Sequence, residues 1–164
     1  MKVFDTSSIV CIFREIEYPK VLDVCKSLGY QLSVTPQVYE EIQENPETFR
    51  HFEAYESIVV VENSDTECYE RLLKRYPWMH KGELSVLSAG MAEKKGGNRY
   101  YCVIDERARN LRDTLQLRVT GTVGLILWEK ELLALTGEEC RDMYHKFLQS
   151  SFHIKEEVLQ GLLI

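Results

Sequence analysis

The sequence predicts an α/β protein of three layers, α/β/α: a parallel central sheet of about four to five strands with helices on both faces. Three observations predict it. Short apolar runs alternate with helical segments along all 164 residues, the pattern of a parallel sheet wrapped by crossover helices. Helix starts and stops punctuate the chain, as at Thr35-Pro36 and Lys94-Lys95-Gly96-Gly97. Two apolar runs end in aspartate, Lys2-Val3-Phe4-Asp5 and Tyr100-Tyr101-Cys102-Val103-Ile104-Asp105.

Val3 to Asp5 reads as the first strand, and Thr6, Ser7 or Ser8 caps a short helix through Ile9, Cys11, Ile12 and Phe13. Pro19 suits the first turn of a second helix carrying Val21, Leu22, Val24, Cys25 and Leu28, and Gly29 stops it. Gln31 to Val34 is a second strand. Thr35 then caps a helix with Pro36 at its first position, and Val38 and Ile42 share one face with Glu41 beside them. Asn45-Pro46 closes that helix, and Phe49 to Tyr55 reads as a further helical turn.

Ile58 to Val61 is a β-branched third strand. Ser64 or Asp65 caps a helix through Leu72 and Leu73, and a long helix follows from about Gly82 to Lys95. Tyr100 to Ile104 is the most apolar strand and is expected at the sheet centre. An arginine-rich helix after Asp105 leads to the short strand Leu117 to Thr120. Thr120-Gly121-Thr122 opens a helix through Leu125, Ile126 and Trp128, which Gly137 is expected to break before two final helices. With no repeat or long linker, residues 1–164 read as one domain. Residues 138–164 pack on it or form a dimer interface, using Phe147, Leu148, Phe152, Ile154, Leu159, Leu162, Leu163 and Ile164.

Composition narrows the classes. An apolar fraction of 45% is ordinary for a soluble protein. The five cysteines, Cys11, Cys25, Cys68, Cys102 and Cys140, form no C-x-x-C pair, so they read as free thiols in a reducing cytoplasm. Asp5 interrupts the N-terminal apolar stretch, against a signal peptide. The run Gly124 to Trp128 is too short to span a bilayer. A net charge of −6 argues mildly against a nucleic-acid binder. The best local basic surface is Arg107, Arg109 and Arg112 with Arg118 beyond them, a stretch that also reads as a solvated helix face.

Four acids carry the chemistry: Asp5, Glu41, Glu83 and Asp105. Taken singly, each fits a structural role: Asp5 or Asp105-Glu106 as a helix cap, Glu41 as a solvated helical acid. Jointly they follow a pattern. Asp5 and Asp105 end two apolar strands, Glu41 lies one turn into a helix after a strand, and Glu83 opens a helix directly after Gly82. Parallel sheets collect ligands outside the carboxyl ends of their strands, so these acids are expected to meet. Like charges at close range repel, and a hard divalent cation, Mg²⁺ or Mn²⁺, is the simplest compensation.

Val3-Phe4-Asp5-Thr6-Ser7, Val34-Thr35-Pro36-Gln37-Val38-Tyr39-Glu40-Glu41-Ile42, Gly82-Glu83-Leu84-Ser85-Val86-Leu87-Ser88-Ala89 and Val103-Ile104-Asp105-Glu106-Arg107-Ala108-Arg109 together resemble the PIN domain, a family of metal-dependent nucleases. Thr120-Gly121-Thr122-Val123-Gly124 matches the segment after the last family acid. Phe152-His153-Ile154 followed by Glu156-Glu157-Val158-Leu159 resembles a sub-group of uncharacterised prokaryotic PIN-like proteins related to VapC toxins. The resemblance covers nearly the whole chain, and the order and spacing of the short motifs make it specific.

The resemblance implies that Asp5, Glu41, Glu83 and Asp105 form a catalytic metal site for Mg²⁺ or Mn²⁺, with Glu40 as the alternative if the helix phase is shifted by one. Glu83 departs from relatives that carry Asp there, which changes reach and not oxygen chemistry. Thr6, Ser7 and Thr120 are implied as supporting residues, and Arg107, Arg109 and Arg112 as phosphate contacts. The implied reaction is hydrolysis of RNA, in the cytoplasm, by a homodimer that is the toxin paired with a small antitoxin. The alternative is a catalytically inactive module that binds nucleic acid or protein. His51, His80, His145 and His153 lack metal or triad spacing and read as surface or capping residues. Gly121-Thr122-Val123-Gly124 is no P-loop, because no Gly-Lys-Ser or Gly-Lys-Thr follows.

Overall fold

The strands are short, of two or three residues each. In a computed structural model describing residues 1–62, 65–105 and 107–164, they are β1 (Lys2–Phe4), β2 (Leu32–Val34), β3 (Ile58–Val60), β4 (Tyr101–Val103) and β5 (Val119–Thr120). All pair in parallel, in the order β3-β2-β1-β4-β5. The middle strand is therefore β1, not the more apolar β4. Val3 and Phe4 are fully buried, and so is Lys2. Lys2 is aligned with Leu32 on one side and Tyr101 on the other. The chain runs outward from β1 in both directions, so the order switches between β1 and β4, where a crevice opens at the strand ends.

The helices complete the three-layer α/β/α arrangement. They are α1 (Thr6–Val10), which runs into a π-helical turn at Cys11–Glu15, α2 (Lys20–Ser27), α3 (Pro36–Gln43), α4 (Pro46–Ala54), α5 (Thr66–Arg75) and α6 (Lys81–Lys95). After β4 come a 3₁₀ turn at Arg107–Leu111 and then α7 (Arg112–Leu115), α8 (Thr122–Leu133), α9 (Gly137–Gln149) and α10 (Glu156–Gln160). α2 packs against α8, while α3 and α5 pack against α6. α9 and α10 bury Met143, Phe147, Leu159 and Leu162 in the common core; Leu148, Leu163 and Ile164 stay exposed.

Most starts obey local capping chemistry. Thr35 accepts from the Val38 amide, Asn45 from Thr48 and Asp65 from Cys68, each satisfying one of a helix's unpaired first-turn donors. Ser64, the other candidate cap, lies outside the described residues, as does Glu106. Two readings need correction. The arginine-rich segment is mostly a 3₁₀ turn, with only Arg112–Leu115 α-helical. Gly137 breaks nothing: α8 ends at Leu133 with Ala134 left-handed (φ 48°), and Gly137 begins α9 behind the Thr136 cap. Thr136 and Glu139 cap that helix reciprocally, a signal strong enough to seat a glycine inside the first turn. All five cysteines are buried free thiols. Among the described residues, no helix is long and apolar enough to cross a membrane.

Candidate active site

A cavity of about 610 Å³ opens at the carboxyl ends of β1 and β4. Asp5, Glu41, Glu83 and Asp105 all line it, with Thr6, Ser7, Arg107 and Arg109. Asp5 and Asp105 meet there because β1 and β4 are neighbours in the sheet.

Asp5 is the N-cap of α1. Its Oδ1 accepts from the Ser8 amide at 2.8 Å and its Oδ2 from the Ser7 hydroxyl at 2.7 Å. A cap of this kind is ordinarily exposed; this one is 1% exposed. Asp105 faces it from the end of β4, and Ser8 Oγ, which donates to Asp105 Oδ2 at 2.9 Å, joins the two. Thr122 holds Asp105 from the other side. Its amide donates to Oδ1 at 2.8 Å and its hydroxyl donates to Oδ2. Here the first amides of α8 meet a carboxylate, as a helix N-terminus favours. Gly121, just before, is required by this closeness. A methyl group there would stand 2.6 Å from Asp105 Oδ1 and 2.8 Å from an Arg109 guanidinium nitrogen.

Glu41 and Glu83 form the second half. Thr6 Oγ1 donates to Glu41 Oε2, and the Gly82 amide donates to Oε1 at 2.9 Å. Glu41 lies so close over the start of α6 that a methyl on Gly82 would stand 2.8 Å from Oε1. The Gly82-Glu83 dipeptide is thus one device: the glycine admits one acid while the next residue supplies another. Glu83 accepts from the His80 amide at 3.1 Å and from the Ala108 amide at 3.2 Å, which ties α6 to the turn after Asp105.

The electrostatics are unfavourable for the isolated protein. Burial, then repulsion from Asp105, pushes the Asp5 carboxyl up to about 8. Burial likewise raises Asp105, against its hydrogen bonds and the pull of Arg109. Asp5, Glu41 and Asp105 enter no salt bridge among the described residues.

Do these residues fit a divalent cation? The donor set is entirely oxygen, as Mg²⁺ and Mn²⁺ require. Burial and repulsion penalise charge on the Asp5–Asp105 pair, and the pull of Arg109 does not cancel that penalty. Each ionised oxygen accepts about two hydrogen bonds, so one with a protein donor leaves room for a ligand while fixing its aim. Among the described residues, no three His, Cys, Asp or Glu side chains stand close enough to enclose an ion. The acids are held as two pairs, by Ser8 and by the start of α6. The pair Asp5–Asp105 fits the role of direct ligands, with Glu41 and Glu83 at the cavity wall.

The remaining candidates divide. Thr6 and Ser7 each bind a site carboxylate. Thr120 instead turns to the Gly121 carbonyl at 3.2 Å, and the hydroxyl on Asp105 is that of Thr122, two residues on. Arg112 does not line the cavity; its Nε donates to Asp113 at 3.3 Å. Glu40 is exposed and lies outside this cavity, lining a smaller one of about 500 Å³. Sequence reasoning missed Ser8 and Thr122 as carboxylate donors. His80 and His153 are exposed, and His80 is the N-cap of α6, as read from the sequence; both also line the cavity.

A family model, DUF3368, described as a PIN domain, matches residues 1–164. The chain belongs to the PIN-domain family. No curated protein and no solved structure shows significant similarity to it. PIN domains are typically nucleases that use divalent metals.

Proposed function

We propose that this PIN domain is a divalent-metal-dependent endoribonuclease. One observation carries the reading: buried Asp5 and half-buried Asp105 repel each other and enter no salt bridge among the described residues, at the ends of adjacent strands and open to a cavity. Asp5 and Asp105 would hold Mg²⁺ or Mn²⁺, with Glu41 and Glu83 completing the acidic set. The bound ion would lower the pKa of a water and offset charge on the phosphate. The chain's own parts have defined tasks. Ser7 and the Ser8 amide aim Asp5, and Ser8 and Thr122 aim Asp105. Thr6 and the Gly82 amide hold Glu41. Arg107 and Arg109, exposed at the cavity wall, meet substrate phosphates.

The test is Asp5→Asn and Asp105→Asn assayed on RNA with Mn²⁺ and with chelator. Loss of cleavage in both variants supports the proposal. Wild-type cleavage that survives chelation, or survives either substitution, overturns it.

Residues 1–164 form one unit in this reading, with 138–164 seated through Phe147, Leu159 and Leu162. A homodimer would use apolar side chains left outside, among them Leu148 and Leu163. In the cytoplasm it serves as the toxin of a pair, restrained by a small antitoxin, and its expression alone arrests growth. The division of the acids into two pairs favours a second reading, a catalytically inactive PIN module that binds RNA or protein. Calorimetry with Mn²⁺ separates the two: the inactive module takes up no ion and cleaves nothing.

A further inference from the structure

The cavity lining is not acidic throughout. Besides the acids it includes Arg107, Arg109 and three residues contributed from much later in the chain, Ser151, Phe152 and His153. These three belong to the segment joining α9 to α10. We propose that this segment is the nucleotide-binding wall of the site, with Phe152 stacking on a base of single-stranded RNA and His153 binding its backbone or base edge. This rests on the ribonuclease reading above.

Four observations carry it. The segment is anchored at both ends: Phe147 before it and Leu159 and Leu162 after it are buried, and Lys130 Nζ donates to the Gly161 and Leu162 carbonyls at 3.3 and 3.1 Å. Its own backbone is set by local bonds, Ser150 Oγ to the Phe147 carbonyl at 2.7 Å and the Phe152 amide to Ser150 Oγ at 3.2 Å. Phe152 is half-buried, packed on the core yet part of the cavity lining, while Ser151 and His153 are exposed there. A cavity of about 610 Å³ is of the size that takes a nucleotide-sized ligand.

The chemistry is that of single-strand recognition. A fixed aromatic face accepts any base, cations track the phosphates, and a ring N–H or hydroxyl reads a polar edge. A base inside a duplex is already stacked and cannot reach a half-buried phenyl ring in the cavity wall.

The test is fluorescence anisotropy with a labelled ten-nucleotide single-stranded RNA and the matching duplex, in Ca²⁺. The full-length chain and Phe152→Leu, Phe152→Trp and His153→Ala are compared. Wild type should prefer the single strand. Phe152→Leu should weaken that binding about tenfold, Phe152→Trp should restore it, and His153→Ala should weaken it about threefold. Duplex binding should not move. Thermal melts identify a Phe152→Leu chain that fails to fold; Phe152→Trp and exposed His153 then decide. Unchanged single-strand affinity in both Phe152→Leu and His153→Ala, with RNA cleavage intact in wild type, overturns the wall and leaves the ribonuclease. Equal wild-type affinity for duplex overturns the single-strand preference. A wild type that neither binds nor cleaves RNA overturns the ribonuclease reading and the wall with it.

Discussion

β1 carries a buried charge at each end, and the two ends are handled oppositely. At its start, Lys2 is fully buried and meets Glu129, also fully buried, at 3.3 Å. The ammonium lies 4.5 Å from the Tyr30 ring centre and 4.3 Å from that of Trp128, an aromatic environment that stabilises a cation. Past its end, Asp5 is equally buried but faces another carboxylate. One end pairs its charge with a side chain of opposite sign; the other sets two carboxylates together with no salt bridge among the described residues. That difference separates a structural ion pair from a site. Buried charge alone does not distinguish them, whereas its internal compensation does.

The largest effect that sharpens this contrast is on activity. Asp5→Asn or Asp105→Asn should cut metal-dependent RNA cleavage by more than about 100-fold, since even outer partners of a metal site cost 10–100-fold. The same variants should fold at least as well as wild type without metal. A loss of folding would mean that the aspartates serve the scaffold instead.

At the other end of β1, Lys2→Met should destabilise the fold by about 3–5 kcal/mol, because Glu129 is left buried and unpaired. Lys2→Met with Glu129→Leu should recover most of that in urea melts. Similar losses in the single and double variants would break the comparison.

The next prediction concerns pH. The folded Asp5 carboxyl sits at about 8 and Asp105 is also raised, so the folded state binds protons more tightly than the unfolded chain. Metal-free stability should therefore be fullest below about pH 4 as far as these groups act, and fall as pH rises towards about 8. Asp5→Asn should flatten the curve. Added Mn²⁺ should raise Tm more at pH 8 than at pH 5, and an equal rise at both would contradict the repulsion argument.

The smallest effect is expected at Thr122. Thr122→Val keeps the amide on Asp105 and loses only the hydroxyl. Metal affinity by calorimetry should drop about tenfold, with stability changed by about 1 kcal/mol.

Much of the fold was readable because its signals are local. Thr35-Pro36 and Gly96-Gly97 act through caps and fixed dihedrals that need no distant partner, whereas Asn45-Pro46, read as closing a helix, in fact caps and opens α4. The four acids were readable because each follows a local signal: a strand end, a cap or a glycine. Their donors were harder. Ser8 looks like any first-turn serine until its hydroxyl is seen reaching Asp105, 97 residues away. Thr120 and Thr122 are equivalent on paper, and only the turn at Gly121 decides that Thr122 faces the carboxylate. The alternation that predicted β4 at the centre counts apolar residues, but sheet order follows crossovers, which put Lys2 in the middle strand.

The sequence by itself determined the parallel α/β class, several helix starts and the presence of acids at two strand ends, because capping, periodicity and strand-to-helix alternation act over a few residues. Tertiary structure alone decided that Asp5 and Asp105 line one cavity, that Lys2 finds Glu129, and that Phe152 and His153 join the acids in that cavity. Those outcomes depend on crossovers that bring together segments dozens of residues apart, and no local preference encodes which distant charge will become a neighbour.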